Sequence, residues 1–131
     1  MKIPLSKAAT EAKKLAKVLK GGEVIALTGS LGSGKTTFTQ YLAKELGIKN
    51  TVTSPTFVIM QEYAIPLNKQ GPSWLYHLDL YRTKDFSEIQ TLGIEQIWQR
   101  PETITIIEWA DKIAANLPKN SINYHFFRDA E

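Results

Sequence analysis

Lys35, Thr36 and Thr37 follow a stretch in which glycine occupies positions 29, 32 and 34. The whole reads Gly29-Ser30-Leu31-Gly32-Ser33-Gly34-Lys35-Thr36, a complete G-x-x-x-x-G-K-[ST] pattern. Phosphate binding accounts for each residue type in it. Glycine permits positive φ and lets the backbone approach an anion with no Cβ in the way. Successive N–H groups then converge into an anion nest, to which a following helix adds its positive dipole end. Lys35 can place a mobile charge on the β- and γ-phosphates, and Thr36 can offer a hydroxyl to magnesium. Chance would produce the pattern in roughly 0.5% of chains of this length. The strand-like Val24-Ile25-Ala26-Leu27 before it and the amphipathic stretch after it make coincidence less plausible still. The expected ligand is ATP, or ADP, with Mg2+.

Binding phosphate is not hydrolysing it. Turnover needs acidic groups that hold magnesium and orient the attacking water. Two carboxylates stand at the ends of strand-like runs. Glu108 closes Ile104-Thr105-Ile106-Ile107, a β-branched run that ends in a carboxylate as a Walker B strand does. Asp79 lies in Tyr76-His77-Leu78-Asp79-Leu80-Tyr81-Arg82. Alternation there puts Leu78 and Leu80 on one face and His77, Asp79 and Tyr81 on the other. Lys35, Asp79 and Glu108 are therefore the candidate catalytic residues, and Thr36, Glu108 and Asp79 the candidate metal ligands. His77 reads as a half-buried strand histidine more readily than as a base. Arg82 suits either a phosphate or partner contact or a structural ion pair. Trp109 is expected to pack beneath the site. Thr53-Ser54-Pro55-Thr56 fits a plain turn and equally a switch segment, in which Ser54 and Thr56 would sense the γ-phosphate.

The elements that position these groups alternate between helix and strand. Ser6 can cap a first helix whose apolar stripe is Ala9, Ala12, Ala16 and Leu19, ended by Gly21–Gly22. Val24–Leu27 is a buried strand, and Phe38, Leu42 and Leu46 mark a helix stopped at Gly47. Thr56–Tyr63 and Trp74–Tyr81 form a hairpin across a turn-rich loop. Asp85–Trp98 is helical with a break at Gly93; Thr103–Ile107 is a central strand. Trp109–Leu117 is a short helix, and Ile122–Phe127 a last strand. The pattern predicts an α/β fold, a small P-loop three-layer sandwich around a mixed, mostly parallel central sheet, with residues 1–131 as a single domain.

Composition narrows the partners. The chain has 131 residues, no cysteine and a net charge of +3 from 16 basic and 13 acidic residues. Disulfides, thiolate metal sites and cysteine nucleophiles are excluded. No apolar run is long enough for a bilayer, the N-terminal stretch shows no secretory h-region, and a cytoplasmic setting with no membrane contact is expected. Lysines are scattered and arginines number only three, at 82, 100 and 128, which suits a solvated surface better than a nucleic-acid stripe.

Taken together, G-S-L-G-S-G-K-T-T at 29–37, S-P-T-F at 54–57, Glu62-Tyr63, H-L-D-L-Y-R at 77–82, L-G-I at 92–94 and Glu108-Trp109 followed by Asp111-Lys112 resemble the TsaE (YjeE) family. The resemblance runs from Ile3 to about Asp129. It implies a slow ATPase required for threonylcarbamoyladenosine in transfer RNA. Such a protein cycles a TsaB–TsaD transferase complex and meets tRNA only indirectly through it. Residue by residue it implies phosphate binding at Gly32, Ser33, Gly34, Lys35, Thr36 and Thr37, to which the motif itself adds Gly29, and magnesium at Thr36 and Glu108. Asp79 would be needed for hydrolysis, with Ser54–Thr56 as the nucleotide-responsive loop. Pro4–Lys7 would approach the adenine, so Ser6 joins the nucleotide-binding set. The chain departs from the family at Ser30, where an acidic residue is usual. Two other readings remain. One is a small-molecule kinase of the same class, disfavoured by the few arginines. The other is a nucleotide-gated binding module without significant turnover.

Overall fold

Apolar residues that alternate along a strand must be covered on both faces when the strand is central, and helices supply that cover. The computed structural model describes residues 1–49, 52, 60–66, 71–83 and 86–129. Its strands are β1 (Lys2–Pro4), β2 (Val24–Gly29), β3 (Met60–Ala64), β4 (Trp74–Asp79), β5 (Thr103–Glu108) and β6 (Ile122–Phe127). Its α-helices are α1 (Ala8–Val18), α2 (Lys35–Glu45), α3 (Phe86–Gln90) and α4 (Ile94–Trp98), and 3₁₀ turns cover Leu5–Lys7 and Ala110–Asn116. Among the described residues one sheet forms, in the order β1-β6-β2-β5-β4-β3. All its pairs are parallel except β3 with β4. The expected α/β class and mixed, mostly parallel sheet are what the structure has.

The sheet feeds two cores, one on each face. Ile25 and Leu27 of β2, Leu75 of β4, Ile104 and Ile106 of β5, and Tyr124 and Phe126 of β6 pack with α1 and α2. Val24, Ala26, Tyr76, Leu78 and Ile107 point the other way and pack with α3, α4 and the 110–116 turn. β5 is buried at every position, which its β-branched composition suits. Helix α2 inserts Phe38 and Leu42, both fully buried, and each contributes about 1.5–3 kcal/mol. Phe38 meets the rings of Tyr124 and Phe126 at centroid distances of 5.2 and 5.1 Å. That packing fixes where the N-terminus of α2, and with it Lys35, stands relative to β6.

Several local expectations shift. The buried stripe of α1 is Ala8, Ala12, Leu15 and Leu19, whereas Ala9 is exposed. The helix starts one residue earlier in phase because the Leu5–Lys7 turn runs directly into it, leaving Lys7 rather than Ser6 at the N-cap with no side-chain cap. The 85–98 helix is two helices, since Gly93 adopts φ 73 between them. The hairpin is present as β3 and β4. The earlier part of the first hairpin strand, at 56–59, lies outside the described residues.

Candidate functional site

Parallel pairing lines up the ends of three strands. Leu27 of β2 and Asp79 of β4 both sit at the register of Glu108 on β5. The glycine-rich loop leaves β2 two residues later, so loop and carboxylates meet at the C-terminal edge of the sheet, where open α/β folds bind ligands.

The loop is shaped by its neighbours. Gly29, Gly32 and Gly34 have φ of 136, 75 and 119°, conformations that side-chain-bearing residues rarely adopt. Gly34 directly precedes α2, so the helix's first N–H groups face into the loop. Ser33 is buried, and its N–H donates to the Ser30 carbonyl at 3.1 Å. Lys35 is only 4% exposed. Its ammonium donates to the carbonyls of Gly29 and Ser30, both at 2.7 Å, and lies 4.1 Å above the Trp109 ring. Burial pushes Lys35 below the ordinary lysine value, against the opposing pull of Glu108, Asp79 and Asp111. A cation so poorly hydrated is ready to exchange carbonyl oxygens for a phosphate.

Glu108 is held from two sides. The Thr36 hydroxyl donates to Oε1 at 2.8 Å, and His77 Nε2 lies 2.6 Å from Oε2. Glu108 is 2% exposed and His77 fully buried, so the half-buried histidine expected of β4 is in fact an interior partner of the carboxylate. Asp79 projects from the same face, and its Oδ1 accepts the Tyr81 N–H at 3.0 Å. Trp109 packs beneath the site as expected. It has φ 61, alone in the positive range among described non-glycine residues, and its ring meets Tyr81 edge-on at 5.0 Å.

The donor set fits magnesium. The Thr36 hydroxyl and the Glu108 carboxylate already converge, and Asp79 stands at the same register. No cluster of three or more His, Cys, Asp or Glu residues that could hold a metal occurs among the described residues. Magnesium with a nucleotide does not require one, because it is usually held by one or two carboxylates plus substrate phosphates.

Thr37, in the first turn of α2 directly after Thr36, belongs with the helix N–H groups at the loop. Ser6 is engaged elsewhere. The Ser6 N–H and hydroxyl both donate to the Asp129 carboxylate. The adjoining Leu5 reaches the loop, with Cδ1 2.8 Å from where a Cβ on Gly34 would be. Ser54 and Thr56 lie outside the described residues; nearby Val52 is buried, and its carbonyl accepts from Gln40 at 2.8 Å. Two contributors were not foreseen. Arg128 Nε donates to the Gly32 carbonyl at 3.0 Å. Lys112 donates to the carbonyls of Tyr81 and Thr83. The rarity of arginine in the chain was the one available signal for the first, and the position of Lys112 in E-W-A-D-K the one for the second.

Residues 5–131 match the family model described as "Threonylcarbamoyl adenosine biosynthesis protein TsaE". The chain belongs to the TsaE family. Among similar curated proteins is the tRNA threonylcarbamoyladenosine biosynthesis protein TsaE of Bacillus subtilis, 41% identical over 85% of this chain and 65% of its own length. The protein of the same name from Aquifex aeolicus is 43% identical, over 77% of this chain and 68% of its own. That from Synechocystis is 42% identical, over 77% and 62%. The chain thus spans about two thirds of the length of these TsaE relatives. A crystal structure of Bacillus subtilis YdiB superposes with a TM-score of 0.68 at 31% identity, covering 98% of this chain and 74% of that one. For this TsaE-family chain the likeness extends over the whole sheet and its helices, not over the loop motif alone. Among the described residues no helix is long and apolar enough to cross a membrane.

Proposed function

We propose that this chain is a P-loop ATPase serving threonylcarbamoyladenosine modification of tRNA, slow alone, which hydrolyses ATP to cycle a TsaB–TsaD transferase complex. The observation that carries the ATPase reading is the convergence of Lys35, Thr36, Asp79 and Glu108 at the loop. The names of the relatives supply the pathway.

In this reading the loop N–H groups and the N-terminus of α2 receive the β- and γ-phosphates. Lys35 leaves the carbonyls of Gly29 and Ser30 and pairs with phosphate oxygens. Thr36 and Glu108 would hold magnesium, with Asp79 beside them, and a bound ion would supply positive charge to the phosphates. Asp79 orients the attacking water. The water's oxygen bonds to the γ-phosphorus as the bond to the β–γ bridging oxygen breaks, releasing ADP and phosphate, and the water's proton leaves with the phosphate or to solvent. Arginines that stabilise the transferring phosphoryl group are worth 10³–10⁵ in other nucleotide hydrolases. Here Arg82 is exposed on the turn after β4, and Arg100 precedes β5, at the opposite end of that strand from Glu108, beside Tyr76. Arg128 is spent on a loop carbonyl. That arrangement favours slow intrinsic turnover raised by partners, and disfavours a kinase with an arginine-lined lid.

ATP hydrolysis measured with and without the TsaB–TsaD pair tests the reading. Wild type should turn over slowly alone and faster with the pair. Lys35→Ala should lose both nucleotide binding and turnover, while Glu108→Ala keeps appreciable binding and loses turnover on the order of 10²-fold or more. Full turnover in Glu108→Ala would remove that residue from the metal site. Tight ATP binding with no turnover under any condition would leave a nucleotide-gated binding module instead.

A further inference from the structure

The Glu108 carboxylate has two oxygens and two distinct partners. Oε1 accepts from Thr36, which stands at the loop, and Oε2 faces the interior, where His77 Nε2 lies 2.6 Å away. Both the neutral Nε2–H tautomer and the imidazolium would donate in that geometry. The other ring nitrogen, Nδ1, is buried and has no hydrogen-bond partner. An apolar side chain of similar size would fill the same volume without stranding a polar atom. His77 is therefore poorly explained as packing, and its chemistry is concentrated in the one bond to Glu108.

Its position suits that single task. His77 lies on the face of β4 that carries Asp79, in register with Ile106 and so two residues inward from Glu108 on the neighbouring strand. A carboxylate anchored through its inner oxygen cannot rotate about its terminal torsion, so its outer oxygen stays turned toward the Thr36 hydroxyl. Ligating carboxylates are commonly hydrogen-bonded in this way, and loss of such a partner weakens metal affinity about 10–100-fold.

We propose that His77 is a positioning residue that fixes Glu108 for the magnesium ion accompanying the nucleotide. This rests on the reading of Thr36 and Glu108 as the magnesium site, and the experiment separates the two. Calorimetric binding of ADP to the full chain, across a magnesium series and in EDTA, is compared for wild type, His77→Phe and His77→Gln. Phenylalanine keeps a ring in the interior but removes the donor; glutamine can return an N–H near the Nε2 position. Thermal melting confirms that each variant is folded.

His77→Phe should keep the magnesium-free ADP affinity within about 2-fold while its half-maximal magnesium concentration rises roughly 10–100-fold, and His77→Gln should recover most of the loss. A wild-type affinity indifferent to magnesium would overturn the metal site, and the role of His77 with it. A wild type that responds to magnesium, with His77→Phe following the same curve, would overturn the His77 role alone. So would a loss of affinity in both variants that is equally large in EDTA, since that is a packing defect. If His77→Phe does not fold, His77→Leu takes its place as the donor-free variant: a magnesium midpoint raised as predicted supports the proposal, and a wild-type curve overturns it.

Discussion

Gly29, Gly32 and Gly34 share a motif but not a reason for being glycine. A Cβ on Gly29 would lie 2.5 Å from the Phe126 carbonyl oxygen and 2.6 Å from Ser33 Oγ, with φ at 136°. Backbone of a paired strand cannot retreat. A Cβ on Gly32, at φ 75°, would meet only the end of the Arg128 side chain, which can swing away. Gly29→Ala should therefore lose roughly 3–5 kcal/mol by strain and overpacking together. Gly32→Ala should lose about 1–2 kcal/mol from its left-handed backbone alone. Urea unfolding of the two variants checks the ranking, and equal losses would mean that conformation, not contact, is all these glycines serve. At this scale much was legible beforehand, because the loop, Lys35 and the two strand-end carboxylates are set by spacing within single segments. The bond from His77 to Glu108 was not. It joins residues 31 apart in sequence, and alternation names the face of a strand residue but not which atom waits there.

Elements carry the site, and the least regular of them does the most tying. The 110–116 turn follows Glu108 and Trp109, and from it Lys112 donates to the carbonyls of Tyr81 and Thr83, the latter at 3.0 Å. Those carbonyls belong to the turn that ends β4, just past Asp79, and the same turn is closed by the Thr83 N–H on the Leu80 carbonyl. Lys112 thus fastens the H-L-D-L-Y-R segment to the E-W-A-D-K segment. Replacing it by methionine should keep the stem and lose the donors, lowering stability by about 1–3 kcal/mol. Amide exchange should accelerate at Tyr81–Thr83 while β5 stays protected. Unchanged exchange in that turn would show that β4 holds Asp79 without the clamp. Strands, hairpin and the Gly93 break were legible as elements, since periodicity and glycine mark them. The phase of α1 was not, because whether Ala8 or Ala9 faces inward depends on a 3₁₀ turn that leaves no periodic trace over three residues.

Across the whole molecule the two ends of the described chain close on the loop together. β1 runs parallel beside β6 at the sheet edge, with Ile3 opposite Phe126. Beyond β6, Arg128 donates to Gly32 and Asp129 accepts from Ser6, while Leu5 presses on Gly34. Separations of 96 and 123 residues put these contacts beyond any sequence pattern, and strand order alone brings them together. The Asp129–Ser6 contact is testable by acid. The Ser6 hydroxyl first, then its amide, hold the Asp129 carboxyl below its ordinary 3.8. A carboxyl depressed in the folded state contributes its stabilisation fully above the unfolded value and loses it as pH falls through the lower folded one. The Ser6 amide resonance should therefore hold its bonded shift down through 3.8 and move only below it. In Asp129→Asn that transition should vanish. Arg128→Ala should leave the titration in place and instead speed amide exchange at Ser33 and Gly34, because the loop has lost its donor on Gly32. A Ser6 midpoint at or above 3.8 would mean that the bond does not persist in solution. The loop would then be braced from the end of β6 by Arg128 alone, and Asp129→Asn would leave Leu5 no freer against Gly34 than it is in wild type.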